Sequence, residues 1–149
     1  MIKKLDNKSI EIARKMQTVF HASYAIEAQL LQATNFPPLK RQIPEYMDTD
    51  TEFFGFWKDE ELAAVVELHF DPSQIHIQSL VVDPSYFRQG IARQLVQFVF
   101  DSFSSEMYMV ETGSANQPAI ALYESLGFVE VLQWNTEIGI RKVRFEKKG

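Results

Sequence analysis

At 149 residues the chain has the size of one ordinary domain, and 46% hydrophobic with 13% aromatic residues is enough for a packed core. It contains no cysteine, which excludes disulfides, thiolate metal sites and cysteine nucleophiles and favours a cytoplasmic address. A net charge of −5 argues against sequence-independent nucleic-acid binding, which needs a basic face.

Apolar runs such as Leu62 to Val66 and Leu80 to Val82 fall far short of the roughly 20 residues a membrane helix needs. Met1 to Leu5 is too polar to open a secretory signal. The expectation is one soluble, intracellular domain over residues 1–149, with no membrane and no nucleic-acid partner.

Ile2 to Leu5 reads as a short first strand. Asp6 to Ser9 offers capping side chains before the helically spaced Ile10, Ala13, Met16, Phe20 and Tyr24, so the first long helix is expected there. Thr34 to Thr51 carries Pro37, Pro38 and Pro44 and is expected to be a substrate loop holding at most a short helix. From Phe53 the pattern becomes strand-like. Phe53 to Trp57, Leu62 to Phe70 and Ile75 to Val82, separated by polar turns, predict an antiparallel meander.

Pro84 to Gly90 is a turn, and Ile91, Leu95, Phe98 and Val99 predict a helix to about Phe103. Met107 to Thr112 follows as a strand, and strand, helix and strand imply a right-handed crossover with parallel strands. Asn116 caps a last helix with Pro118 in its first turn and Gly127 at its left-handed end. Phe128 to Trp134 and Gly139 to Phe145 close the chain as a hairpin. The fold class is therefore α/β, with a mixed sheet that is mostly antiparallel, one parallel crossover, and helices on both faces.

The turn from Val82 to Arg93 lies between a buried strand and an amphipathic helix, where free N–H groups and a partial positive charge make an anion site. Gly90 and Ala92 permit close approach. Arg88 and Arg93 are available for charge-assisted contacts, and their roles are interchangeable at this level. Taken alone, this turn is a weak signal, and a purely structural glycine with solvated arginines accounts for it better. It is not a P-loop, because it lacks the Gly-Lys-Ser/Thr ending, and a phosphoryl-transfer domain is disfavoured.

The turn is followed by a helix, a strand and then Asn-Gln-Pro-Ala-Ile-Ala-Leu-Tyr-Glu-Ser-Leu-Gly-Phe. Val-Asp-Pro, Gly-Ile-Ala and this stretch, in this order, resemble the GNAT superfamily of N-acetyltransferases. The resemblance covers Phe53 to Val131 well, and elsewhere it holds only in element order.

It implies the acyl-CoA N-acyltransferase fold, acetyl-CoA as cosubstrate, and direct transfer of the acetyl group to an amine without an acyl-enzyme. It further implies a cradle for the coenzyme at Phe87, Arg88, Gln89, Gly90, Ile91, Ala92 and Arg93, and pantetheine contacts along Leu80, Val81 and Val82. Ala119 and Asn116 join these contacts, and the Tyr123 hydroxyl stands near the coenzyme sulfur as general acid. Phe87 departs from the family, which usually has Gln or Arg there.

The chemistry wants such an acid, because an amine attacking a thioester expels a thiolate that must take a proton. The amine must also lose a proton, and His76, Glu67 and Glu111 are the three candidate bases. His76 and Gln78 are expected to share a strand face with Leu80. Ser114 has no His–Asp pair placed to activate it. His69 and His21 have no companions at metal-ligand spacing, and no metal is expected.

The acceptor site is expected between the first helix, the Pro-rich loop and the last hairpin, with Phe36, Tyr46, Phe54, Trp57 and Trp134 available. Glu45, Asp48, Asp50 and Glu52 are acidic side chains that could draw a cationic amine to its entrance. A non-catalytic acetyl-CoA sensor is the alternative function. The exposed last hairpin leaves a homodimer open.

Overall fold

Ser9 begins the first long helix as the sequence predicts, its hydroxyl accepting from the Ile12 N–H at 3.4 Å. In the computed structural model, which describes residues 1–149, this helix (α1, Ile10–Leu31) runs about 33 Å at 1.5 Å per residue. It continues beyond Tyr24, the last residue of the expected apolar stripe, and ends at Gln32 in the left-handed conformation.

The Pro-rich stretch contains a single 3-10 turn, Pro37–Lys40, and one short helix, α2 (Ile43–Met47). Seven strands form one sheet: β1 (Ile2–Lys4), β2 (Glu52–Lys58), β3 (Glu61–Asp71), β4 (Gln74–Val82), β5 (Met107–Gly113), β6 (Val129–Asn135) and β7 (Arg141–Lys148). Their spatial order is β1-β2-β3-β4-β5-β7-β6, antiparallel throughout except for β4 and β5.

Two apolar layers fix the faces. Helix α3 (Ile91–Ser102) and helix α4 (Gln117–Ser125) cover one face, where Leu95, Val96 and Val99 meet Val66, Leu68, Ile77 and Phe145. Helices α1 and α2 cover the other, where Met16, Phe20 and Tyr46 meet Phe53, Val65 and Val81. Burial of these side chains follows from period-3.6 stripes on the helices and alternation on the strands.

Two departures from simple strand pairing position the cleft. Glu67 pairs with Ser79 but Leu68 pairs with Ile77, so Gln78 is an extra residue, a β-bulge in β4. Beyond it the parallel ladder stops. β4 and β5 pair only from Gln74↔Met107 to Ile77↔Val110, whereas β4 runs on to Val82 along β3 and β5 runs on to Gly113 along β7. The sheet is split between its two halves from that point.

The bulge also corrects one expectation. Ile77, Leu80 and Val82 all pack toward α3 and α4, although Ile77 and Leu80 are three residues apart. His76, on the other side of Ile77, therefore does not share a face with Leu80. One inserted residue inverts the alternation across it.

Candidate active site

The split opens into a cleft of about 1100 Å³ walled by α1, the Pro-rich loop, β4, the Pro84–Gly90 turn, β5, α4 and the β6–β7 loop. Those segments include the three that the sequence assigns to the acceptor.

At one end lies the cradle. The N–H groups of residues 88 to 93 make no hydrogen bond within the chain, whereas Tyr86 and Phe87 before them and Gln94 after them do. Six successive free amides at a helix start are a ready anion site. Gly90 caps α3 in the left-handed conformation (φ 73°), and a Cβ placed there would meet nothing within 4 Å. The glycine serves conformation and leaves the approach open.

Arg88 also adopts positive φ (65°), a strained choice for a residue with a side chain. Arg93 donates to the Ser125 hydroxyl at 2.7 Å, tying α3 to α4 and separating the roles of the two arginines. Phe87 is 42% exposed at the cleft mouth, with its N–H spent on Pro84.

The wall of β4 presents free backbone. The Asp83 N–H donates to the Ala63 carbonyl at 2.8 Å, which sets the ladder phase so that Val81 bonds Val65. Leu80 and Val82 then turn their backbone groups away from β3 toward the split. Val82 makes one long bond, to the Ser23 hydroxyl at 3.4 Å. Val81 is corrected as a cofactor contact, because its main chain pairs with β3 and its side chain is core. Gln89 does not line the cleft, while Ile91, Ala92 and Ala119 do.

Tyr123 lies in the same cleft. Its ring is 5% exposed and packs on Phe128 and Phe145, with centroids 5.7 and 6.1 Å away. Its hydroxyl has no hydrogen-bond partner in the chain, yet it is not among the sealed polar atoms, a class occupied by the Tyr46 hydroxyl alone. Burial, then the charges of Glu27 and Tyr24, push its pKa above the ordinary phenol value.

Asn116 is more committed than the sequence suggests. Its Oδ1 accepts from the Ala119 N–H at 3.3 Å as the α4 cap, and its Nδ2 donates to Glu27 Oε1 at 2.9 Å and to Thr112 Oγ1 at 3.4 Å.

The three candidate bases separate. Glu111 lines the cleft near the end of β5 and accepts no side-chain hydrogen bond. Glu67 is fully buried off the cleft wall. It takes both guanidinium nitrogens of Arg41 at 2.8 and 3.0 Å, Thr51 at 2.7 Å, Ser79 at 2.8 Å and, at 3.5 Å, Gln78.

So many donors satisfy the buried carboxylate and fix its position. Arg41 completes the latch by stacking on Tyr46, its guanidinium carbon 4.4 Å from the ring centroid. His76 stands outside the cleft, half-buried beside His69, and burial holds its pKa below 6.5.

The acidic loop and most of the aromatics expected at the acceptor site are elsewhere. Glu45 caps α2, Glu52 pairs with Lys4 at 2.8 Å, and Asp50 lies 3.6 Å from His69. Neither these three nor Asp48 lines the cleft. Tyr46 and Phe54 are core, Trp57 packs beside α1, and Trp134 sits on β6; Phe36 alone of the five reaches the cleft.

Two residues that the sequence reading did not single out matter here, Glu27 and Arg41. Glu27 had a visible signal: it continues the stripe Phe20, Tyr24, Glu27, Leu31 at helical spacing, a charge on an otherwise apolar face. Arg41 had none, because its partner is 26 residues away.

Comparison with known proteins agrees with this architecture. The family model described as acetyltransferase (GNAT) family matches residues 13–128. UPF0157 protein YqkA of Bacillus subtilis (strain 168) is 33% identical over 129 residues, which is 86% of this chain and 38% of that protein. The [Ribosomal protein bS18]-alanine N-acetyltransferase of Escherichia coli (strain K12) is 42% identical over 55 residues, 35% of this chain and 37% of that one. The chain thus matches less than two fifths of the length of these curated relatives.

Among solved structures, the ribosomal-protein-S18-alanine N-acetyltransferase from Escherichia coli superposes with a TM-score of 0.79 at 21% identity, covering 99% of this chain and 92% of that one. PaiA N-acetyltransferase from Thermoplasma acidophilum, in complex with coenzyme A, gives 0.76 at 17% identity, covering 100% and 98%. The fold is that of the N-acetyltransferases. The chain belongs to the acetyltransferase (GNAT) family.

Proposed function

We propose that the chain is an acetyl-CoA-dependent N-acetyltransferase that passes the acetyl group directly to a primary amine. The observation that carries this reading is the convergence on one cleft of the free amides at the start of α3, the unpaired edge of β4 and an unpartnered phenol.

The parts divide the work. Amides 88 to 93 hold the diphosphate, with Arg88 at its edge, and the backbone of Leu80 and Val82 pairs with the pantetheine arm as an added strand would. Acetyl-CoA supplies the acetyl thioester. Ala119 and Asn116 form the α4 side of the channel.

Glu111 accepts the proton of the attacking amine, a role supported by its place on the cleft wall and its lack of other donors. Tyr123 holds a proton for the departing sulfur, and its raised pKa keeps the phenol protonated at neutral pH. Nitrogen bonds carbon as the carbon–sulfur bond breaks, and the sulfur leaves as a thiol.

The reading extends to a cytoplasmic address, supported by the absence of cysteine. It extends also to a homodimer along edge strand β6, supported by exposed Val129, Val131 and Leu132. No helix is long and apolar enough to cross a membrane.

Free-thiol release from acetyl-CoA across an amine panel tests the activity. Calorimetry with acetyl-CoA on Tyr123→Phe separates an enzyme from a sensor: retained binding with lost turnover supports transfer, and unchanged slow thiol release in both proteins rejects it.

A further inference from the structure

Glu27 has an asymmetric carboxylate. Its Oε1 accepts from Asn116 at 2.9 Å and from Thr112 at 3.2 Å, while Oε2 accepts from no group in the chain. Both donors are neutral, and no lysine, arginine or histidine pairs with this half-buried carboxylate on the cleft wall. With one oxygen unclaimed and no counter-charge beside it, this carboxylate is an acceptor for a cation that enters the cleft.

A second observation points to the same spot. The Tyr123 hydroxyl, on a side chain more than nine-tenths buried, opens into the cleft with no partner, and the Glu27 charge acts on both Tyr123 and Tyr24.

The cleft's free amides, Arg88 and Arg93 lie at the cradle end, while Glu27, Glu111 and Glu137 lie on the walls away from it, three carboxylates against one unpaired cation there, Lys142 of β7. Arg41, on the loop side, is spent on Glu67. Around Glu27 the wall is hydrocarbon: Ala28, Phe36 and Ile140 form a small apolar cluster with Tyr24 and Leu31 against it, and Leu30 and Ile138 are exposed at the mouth. Leu31 seats on Gly113, where a Cβ would collide with its methyls, so the end of α1 is held against β5.

We infer that Glu27 is the specificity-determining carboxylate of the acceptor site, receiving on Oε2 an amine presented as a single ammonium on a hydrocarbon stem, which lies along Phe36, Leu31 and Ile140. This inference rests on the acetyl-transfer reading for its biological meaning but not for its test. The shared chemistry fits a free alkylamine or a lysine side chain.

The test uses n-hexylamine and acetyl-Gly-Lys-Gly-amide as ammonium probes, with n-hexanol as the uncharged control, titrated by calorimetry and NMR into the coenzyme A-saturated protein. Glu27→Gln keeps an acceptor oxygen for Asn116 and Thr112 and so preserves the fold; its melting curve checks this. At least one ammonium probe should bind, and tenfold or more weaker to Glu27→Gln, with the affinity for coenzyme A unchanged within twofold. The tighter of the two names the source. Glu137→Gln, at the rim, should change binding less than threefold.

Hexanol binding as well as hexylamine, equal hexylamine affinity in the wild type and Glu27→Gln, or no ammonium binding to the wild type would each overturn the inference. Glu27-dependent binding without thiol release would reject the transferase reading alone. Thiol release indifferent to Glu27→Gln in its KM for the amine would reject this inference alone.

Discussion

The two ends of the cleft are built by opposite means. The cradle end is main chain, contiguous from residue 88 to residue 93, and its side chains are largely exposed. The α1 end is side chain: Glu27, Thr112 and Asn116 come from three elements, and the latch beneath it joins Arg41, Glu67, Thr51 and Ser79. A main-chain site depends on conformation and tolerates the side chains it carries, whereas a side-chain site fails when one partner is removed. Phe87 at the cradle is accommodated for that reason, its amide being spent on Pro84 and its ring exposed.

The contrast can be broken in order of expected size. Tyr123→Phe removes the only phenolic proton donor assigned to the reaction and should lower kcat by roughly 10²–10⁴-fold, with acetyl-CoA affinity unchanged by calorimetry. Glu111→Gln should lower kcat by about 10²-fold or more in steady-state thiol-release assays, whereas His76→Gln should leave kcat within about threefold.

Arg41→Ala should destabilise the fold by about 3–5 kcal/mol in urea titrations, because it strands the buried Glu67 carboxylate; the double change Arg41→Met with Glu67→Met should recover much of that loss. At the cradle, Gly90→Val should cost about 1–2 kcal/mol of stability through its positive φ, and Phe87→Ala should shift the acetyl-CoA dissociation constant less than about threefold, an effect under ~1 kcal/mol.

The smallest expected effect concerns pH. His76 is held below its free value by burial, so between that lowered value and 6.5 the unfolded chain binds the extra proton. Stability therefore falls as pH drops from 7 through this window and is flat below it, with Glu111, His69, Arg144 and Glu67 the charges acting on the imidazole. His76→Gln should flatten that slope in denaturant midpoints measured from pH 7 to 5.

The order of elements, the parallel pair and the helix at Asn116 were all legible, because periodicity and capping are local properties of a sequence. Gly90 and the cradle were legible for the same reason. The face of His76 was not, since a bulge at Gln78 carries no composition signal and yet inverts every side chain beyond it. The segments that frame the acceptor end were legible, but the acidic Glu45, Asp48, Asp50 and Glu52 offered for its entrance lie off the cleft, three of them engaged elsewhere.

By itself the sequence determined a mixed sheet under two layers of helices, an anion cradle at a helix start, and a phenol two turns into the last helix. Only the tertiary structure decided which carboxylate is latched, which is free and which faces the cleft. Glu67, Glu111 and Glu27 are one residue type, and what distinguishes them is the count of donors that packing brings to each from tens of residues away.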